Sequence, residues 1–230
     1  MGLSGIATAL LDLVYPPACA ACGEGLPSSA EEPWCRVCGG AVDPPEPGCA
    51  RCGLPGPDPV CGACLADPPA LDGLRAAGAF GGPLADAVHA YKYRDRPALA
   101  RPLGRWLAAR VPPPPGALLV AVPLARGRRV ARGYDQAALL AGWVGRTAGV
   151  PLLRGALRRV RETPPQVGRT RAQRAANVAG AFAADGRVRG REIALVDDVV
   201  TTGATAEACA RALKAAGAVR VTVLALARAG

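Results

Sequence analysis

The sequence predicts an α/β protein: a parallel sheet flanked by helices, preceded by a small module that cysteines, not a core, hold together. Three observations carry this expectation. Eight of the nine cysteines fall within residues 19–64, as four C-x-x-C pairs. Ile193-Ala194-Leu195-Val196 is an unbroken apolar run, which suits a strand buried on both faces, and a short loop leads from it into a helical pattern. Charge is split along the chain: residues 1–75 hold three basic and nine acidic residues, residues 76–230 hold 25 basic and nine acidic. The expected division is residues 1–70 and residues 71–230.

Composition narrows the classes. Hydrophobic residues make up 50%, enough for a real core, but aromatics only 4%. Arginine is abundant and lysine is confined to Lys92 and Lys214, a bias attributable to codon usage in a GC-rich genome. The basic half suits polyphosphates or nucleic acid. No run approaches the roughly 18 apolar residues of a membrane span. Ile6 to Val14 reads as a short amphipathic docking helix and not a signal peptide, so the protein is expected in the cytoplasm.

The cysteine pairs are Cys19/Cys22, Cys35/Cys38, Cys49/Cys52 and Cys61/Cys64, with spacers of 12, 10 and 8 residues. Each pair places two thiolates on one tetrahedral Zn²⁺, and two pairs complete a Cys₄ site, so four pairs make two structural sites. The spacers are rich in Pro and Gly and cannot build a core, so metal must hold them. Sequential pairing is simplest, and an interleaved pairing of first with third stays open. Disulfides are the alternative, disfavoured without a secretion signal.

In the basic half, Gly78 to Gly82 reads as a turn and Pro83 to Tyr93 as a helix, with His89 a surface or packing residue and Lys92 and Arg94 at the helix end. Pro97 to Ala109 is a second helix, stopped by Pro112 to Pro115. Ala117 to Val122 is an apolar strand running into an arginine-rich loop with Arg126, Arg128, Arg129 and Arg132, a candidate anion site. A helix follows to about Ala148, then a strand near Leu152-Leu153. Residues 154–178 form a long basic segment, read as unstructured and containing Pro164-Pro165, of the kind that is a functional lid or disordered. Between 124 and 174, twelve arginines face only Asp135 and Glu162.

The stretch 193–205 carries the most chemistry. Asp197 and Asp198 lie where the strand would leave the sheet, at the carboxyl end where open α/β sheets bind ligands. Thr201, Thr202, Gly203, Ala204 and Thr205 then form a small, hydroxyl-rich loop. Ala206, Cys209, Ala210, Leu213 and Ala216 continue it as one apolar helix face, with Cys209 a buried small hydrophobe, and Glu207, Arg211 and Lys214 lie opposite. Gly217 ends the helix and Val219 to Ala227 reads as the next strand, completing a βαβ unit. A loop entering a helix offers unpaired N–H groups and the positive end of the helix dipole, a cradle for a phosphate monoester. Carboxylates beside such a cradle would repel phosphate unless they accept from sugar hydroxyls or hold Mg²⁺ through water. The stretch therefore suits a sugar phosphate.

This thirteen-residue string closely resembles the phosphoribosyl-diphosphate (PRPP) motif of type I phosphoribosyltransferases: four apolar residues, two acidic, an apolar pair, then Thr-Thr-Gly-x-Thr. The resemblance implies that residues 201–205 bind the 5-phosphate and that Asp197 and Asp198 bind the ribose hydroxyls, with Mg²⁺ bridging the diphosphate. The chain as a whole resembles the ComF family of competence-associated, phosphoribosyltransferase-like proteins. The cysteine-rich N-terminus carries that likeness, with Tyr91-Lys92-Tyr93-Arg94, Val122-Pro123-Leu124, Arg132-Gly133-Tyr134-Asp135-Gln136, Gln166, Arg174 and Asn177-Val178. It departs at Asp135, where the family usually has Asn. The resemblance implies a type I phosphoribosyltransferase-like sheet, a pyrophosphate-facing segment including Arg126 and Arg132, and a closing loop including Gln166 and Arg174. It further implies a role in DNA uptake and natural transformation, with single-stranded DNA and the DNA-uptake machinery as partners. Two other readings remain at this stage: a nucleobase-salvage phosphoribosyltransferase, and a non-catalytic PRPP sensor or DNA-binding adaptor.

Overall fold

The computed structural model describes residues 17–27, 30, 32–94, 96–162 and 177–229. The expected docking helix at 6–14, Pro164-Pro165, Gln166 and Arg174 lie outside the described residues.

The cysteine-rich region holds two short helices, α1 (Arg36–Gly40) and α2 (Gly62–Ala66), each starting at the second cysteine pair of its cluster. Then come β1 (Gly73–Ala79), α3 (Gly82–Tyr93), α4 (Ala100–Arg110), β2 (Leu118–Ala121), α5 (Arg126–Arg132), α6 (Gln136–Ala148), β3 (Leu157–Arg159), β4 (Phe182–Ala184), β5 (Glu192–Val200), α7 (Ala204–Ala215) and β6 (Arg220–Arg228). The main sheet has the order β1-β6-β5-β2 and every pairing is parallel. The fold class expected from the sequence, a parallel sheet flanked by helices and preceded by a small Cys₄ module, is the architecture found.

Burial explains the apolar run. Along β5, Ala194 and Val196 point into one cluster with Leu84, Tyr91, Leu103, Trp106 and Leu140, while Ile193 and Leu195 point into another with Cys209, Leu213 and Phe182. All four strand residues are fully buried. A strand covered on both faces cannot alternate polar with apolar. The first cluster packs α3, α4 and α6 on one side of the sheet; the second packs α7 and the antiparallel β3–β4 pair on the other. Cys209 is fully buried, as expected of a small hydrophobe.

Four local expectations change. The glycine turn at 78–82 begins later, because Gly78 and Ala79 complete β1, an edge strand paired with β6. Its sequence, Gly-Leu-Arg-Ala-Ala-Gly-Ala, has neither alternation nor β-branched residues to announce a strand. The arginine-rich segment after β2 is helical, as α5, not a loop. Leu152 contributes one parallel bridge to Leu119 instead of a full strand. Finally, the described part of 154–178 is not structureless, because Leu157–Arg159 pairs antiparallel with Phe182–Ala184.

The ribbon region covers the free side of β1. Leu74 donates from its amide to Ala50 O at 3.3 Å, and Ala79 to Asp43 O at 3.1 Å. An uncovered edge would present unpaired backbone groups to other chains. The connecting segment is docked on α7: the amide of Ala70 donates to both carboxylate oxygens of Glu207 at 3.0 Å, and Lys214 Nζ lies 2.7 Å from Asp72 Oδ2. Thus the helix face opposite the apolar stripe is not simply solvated; it holds the start of the sheet region.

Candidate functional site and metal centres

The thiols assemble as two clusters, Cys19/Cys22/Cys35/Cys38 and Cys49/Cys52/Cys61/Cys64, with the ligand atoms of each within 4.8 Å of one another. Pairing is therefore sequential, and the interleaved alternative is set aside. Zn–S bonds of about 2.3 Å in a tetrahedron require sulfurs about 3.8 Å apart. Cys22 Sγ and Cys35 Sγ are 3.8 Å apart, and Cys52 Sγ and Cys61 Sγ are 3.7 Å apart. The donor set and its spacing fit zinc in both. With four thiolates each, the sites are closed and structural.

The acidic pair lies within β5, which runs on to Val200, four residues past the apolar run that announced it. Asp198 is buried, and its Oδ1 meets Lys92 Nζ at 2.7 Å. Asp197 Oδ1 accepts from the Asp198 amide at 2.9 Å, and Asp198 Oδ1 from the Val199 amide at 2.6 Å. Burial, then the charge of Asp198, pushes the Asp197 carboxyl up to about 8; Lys92 opposes this. Two adjacent carboxylates in a largely dry position are costly without a cation or hydroxyl donors to share them.

Lys92 is a site residue that sequence reasoning left out of the constellation. It ends α3, and that end is fixed to α6. Tyr91 OH donates to Gln136 O at 2.7 Å, and Tyr134 OH donates to Tyr91 O. Burial, and then the charge of Asp198, pushes the Tyr91 phenol up, so it remains a donor. The available signal was compositional: one of only two lysines in an arginine-rich chain.

The loop 201–203 joins β5 to α7. Gly203 has φ +78°, the left-handed region, and caps the helix. A side chain there would be strained. Thr202 Oγ1 lies 3.5 Å from the Ala204 amide, and Gly203 O accepts from the Glu207 amide at 2.8 Å. Asp197, Thr201, Thr202, Gly203, Ala204 and Thr205 line one small hollow of about 40 Å³. The predicted loop residues are thus brought together, with a carboxylate at the rim, at the N-terminus of a twelve-residue helix.

The arginines divide. The Arg132 guanidinium lies 4.8 Å above the ring of Tyr93, next in sequence to Lys92. Arg126 instead lines a separate cavity of about 860 Å³ with Arg129, Arg154, Arg158 and Arg159, and shares no lining residue with the hollow at 197–206. Glu162 Oε1 accepts from the Arg126 amide at 2.8 Å. Asp135, whose role the sequence left open, caps α6: its Oδ1 accepts from the Ala138 amide at 3.0 Å. His89 is exposed and packs edge-on against Phe80 and Tyr93.

Comparison with known proteins now bears on this arrangement. The double zinc ribbon domain family matches residues 10–65. The DNA utilization protein YhgH of Salmonella typhi is 34% identical over 205 residues, covering 84% of this chain and 89% of that protein. Competence protein F of Haemophilus influenzae is 32% identical over 179 residues, covering 74% and 78%. The chain belongs to the ComF family. Its two Cys₄ clusters are structural zinc sites of a double zinc ribbon. Among solved structures, it is similar to the allosteric regulatory enzyme of purine biosynthesis (TM-score 0.39, 22% identity, 55% of this chain). It is also similar to glutamine PRPP amidotransferase from B. subtilis (TM-score 0.37, 22% identity, 60% of this chain). The chain spans about a quarter of each of those proteins: 25% and 27%. Among the described residues, no helix is long and apolar enough to cross a membrane.

Proposed function

We propose that this ComF protein binds PRPP at the C-terminal end of β5 and acts on DNA uptake, with single-stranded DNA held on its arginine-rich face. The observation that carries the PRPP reading is the run of half-buried Asp197 and buried Asp198 into the loop 201–205, at the N-terminus of α7. Backbone N–H groups and the hydroxyls of Thr201, Thr202 and Thr205 hold the 5-phosphate. Asp197 and Asp198 accept from the ribose 2- and 3-hydroxyls, which offsets the burial and, after it, the charge of Asp198 that raise the Asp197 carboxyl. Lys92 pairs with Asp198 and orients it. Arg132 supplies positive charge to the diphosphate, which stabilises the leaving group as the bond to the anomeric carbon breaks; the resemblance assigns Gln166 and Arg174 to the same end of the substrate. Mg²⁺ bound with the diphosphate would share its charge, and the hard carboxylate oxygens of Asp197 and Asp198 fit that ion through water.

The names of the relatives, DNA utilization protein and competence protein, support the DNA side of the reading. So does the arginine excess between 124 and 174. Such a face binds nucleic acid through phosphates, with affinity that falls steeply with salt.

The test is calorimetric titration of the zinc-loaded protein with PRPP and Mg²⁺, beside the Asp197→Asn, Asp198→Asn double variant. Micromolar-range binding lost in the variant supports the reading; a folded, zinc-loaded wild type that binds no PRPP refutes it.

A further inference from the structure

Arg228 lies at the end of β6 and is 9% exposed. One guanidinium nitrogen, Nη1, donates to three backbone carbonyls: Val200 at 3.2 Å, Thr201 and Ala229. Val200 is the last residue of β5 and Thr201 the first of the loop. In a trans peptide the C=O and the following N–H point opposite ways. Drawing the carbonyls of Val200 and Thr201 toward one cation therefore turns the N–H groups of Thr201 and Thr202 to the other side of the chain. Those are the donors a phosphate in the hollow needs.

On its other flank, Arg228 meets the second zinc knuckle. Gly53 follows Cys52, and its amide donates to Cys49 O at 2.8 Å. A Cβ on Gly53 would lie 3.6 Å from Arg228 Nε and 2.6 Å from Leu74 Cδ2. Leu74 leaves no room for a side chain at Gly53, Arg228 lies at van der Waals distance from that position, and the Gly53 backbone belongs to the turn that the metal closes. Cys49, Ala50, Gly53, Leu74 and Arg228 share one cleft of about 530 Å³ between ribbon and sheet. The first knuckle contacts the sheet region elsewhere, through Trp34 against Trp106.

We propose that Arg228 is a positioning residue for the loop 201–205, seated by the second zinc knuckle, so that metal at Cys49/Cys52/Cys61/Cys64 sets the geometry of the anion cradle while metal at the first cluster does not. This rests on reading that loop as a phosphate cradle. The link joins residues 175 positions apart, Gly53 and Arg228, through one side chain. It makes the ribbon a support of the ligand site as well as a cover for the sheet edge.

The experiment uses the zinc-loaded full chain as wild type, Arg228→Met, Arg228→Lys, Cys61→Ser/Cys64→Ser and Cys35→Ser/Cys38→Ser. Amide hydrogen exchange across 200–205 is read beside calorimetric titration with PRPP and Mg²⁺. Arg228→Met keeps the stem and removes the donors. It is expected to speed exchange at 200–205 and weaken PRPP by about tenfold or more, as for loss of a charged hydrogen-bond donor. Arg228→Lys restores part of both. Cys61→Ser/Cys64→Ser speeds exchange at 200–205, whereas Cys35→Ser/Cys38→Ser leaves it at the wild-type rate. Wild-type exchange in Arg228→Met, or equal effects of the two cysteine pairs, overturns the proposal. A wild type that binds no PRPP refutes the functional reading instead, and the exchange measurement still decides the role of Arg228.

Discussion

The zinc ribbon and the sheet region solve the same problem by opposite means. The ribbon is acidic, full of Pro and Gly, and its described part buries few large apolar side chains besides Trp34. Two metal ions replace the core it cannot build. The sheet region is basic and buries apolar strands on both faces, with β5 and β6 at its centre. The difference teaches where each half is fragile. Ribbon order depends on thiolates and metal; sheet order depends on packing, and its costs concentrate where charge is buried among the strands.

The largest expected effect separates the two sources of order. Stripping zinc with a strong chelator melts residues 17–67, while β5 and β6 amides stay protected from exchange. Simultaneous loss of protection in both halves would break the comparison. It would mean that the edge of β1 cannot stand without the ribbon's contacts at Ala50 and Asp43.

Trp106→Ala comes next. Trp106 is 3% exposed and meets Trp34 edge-on at 5.7 Å between centroids. The cost should be about 3–5 kcal/mol in denaturant unfolding, and it should fall on the sheet region, leaving zinc content at two ions per chain.

Lys92→Ala leaves Asp198 buried without its cation, and about 3 kcal/mol is expected from the loss of one partner. The sign with pH sharpens this. The Asp197 carboxyl titrates near 8 in the folded chain, against roughly 3.9 unfolded. A raised carboxyl holds its proton more tightly when folded, so the stability it contributes is present below the unfolded value and is lost as pH rises through about 8. Asp197→Asn should therefore raise the melting temperature relative to wild type at pH 9, and the gain should shrink toward pH 5. A gain that is equal at both pH values would show that the carboxyl is not held up in this way.

The smallest effect tests the joint between the halves. Glu207→Ala removes the acceptor for the Ala70 amide and is expected to cost about 2 kcal/mol, as for a hydrogen bond to a charged group. Exchange should rise at 69–72 before it rises elsewhere. A uniform rise would place Glu207 in the general stability of α7.

Local signals in the sequence determined a good deal. The C-x-x-C spacings predicted both metal sites because ligand geometry is set within each knuckle. The apolar run at 193–196 predicted a buried parallel strand because burial on two faces removes alternation. Gly203, the small loop residues and the helical stripe after them marked the strand-loop-helix turn for the same kind of reason. Only the tertiary structure decided the rest. It chose which cysteine pairs share a cluster, placed β1 at the sheet edge, and paired β3 with β4. It also brought Lys92 to Asp198, Glu207 to Ala70, and Arg228 to the carbonyls of Val200 and Thr201. These contacts join residues far apart in the chain, and neither periodicity nor spacing encodes a partner 106 or 137 positions away. A lone lysine, glutamate or arginine looks the same in sequence whether it meets water or a buried carboxylate, and only packing the strands and helices together distinguishes the two.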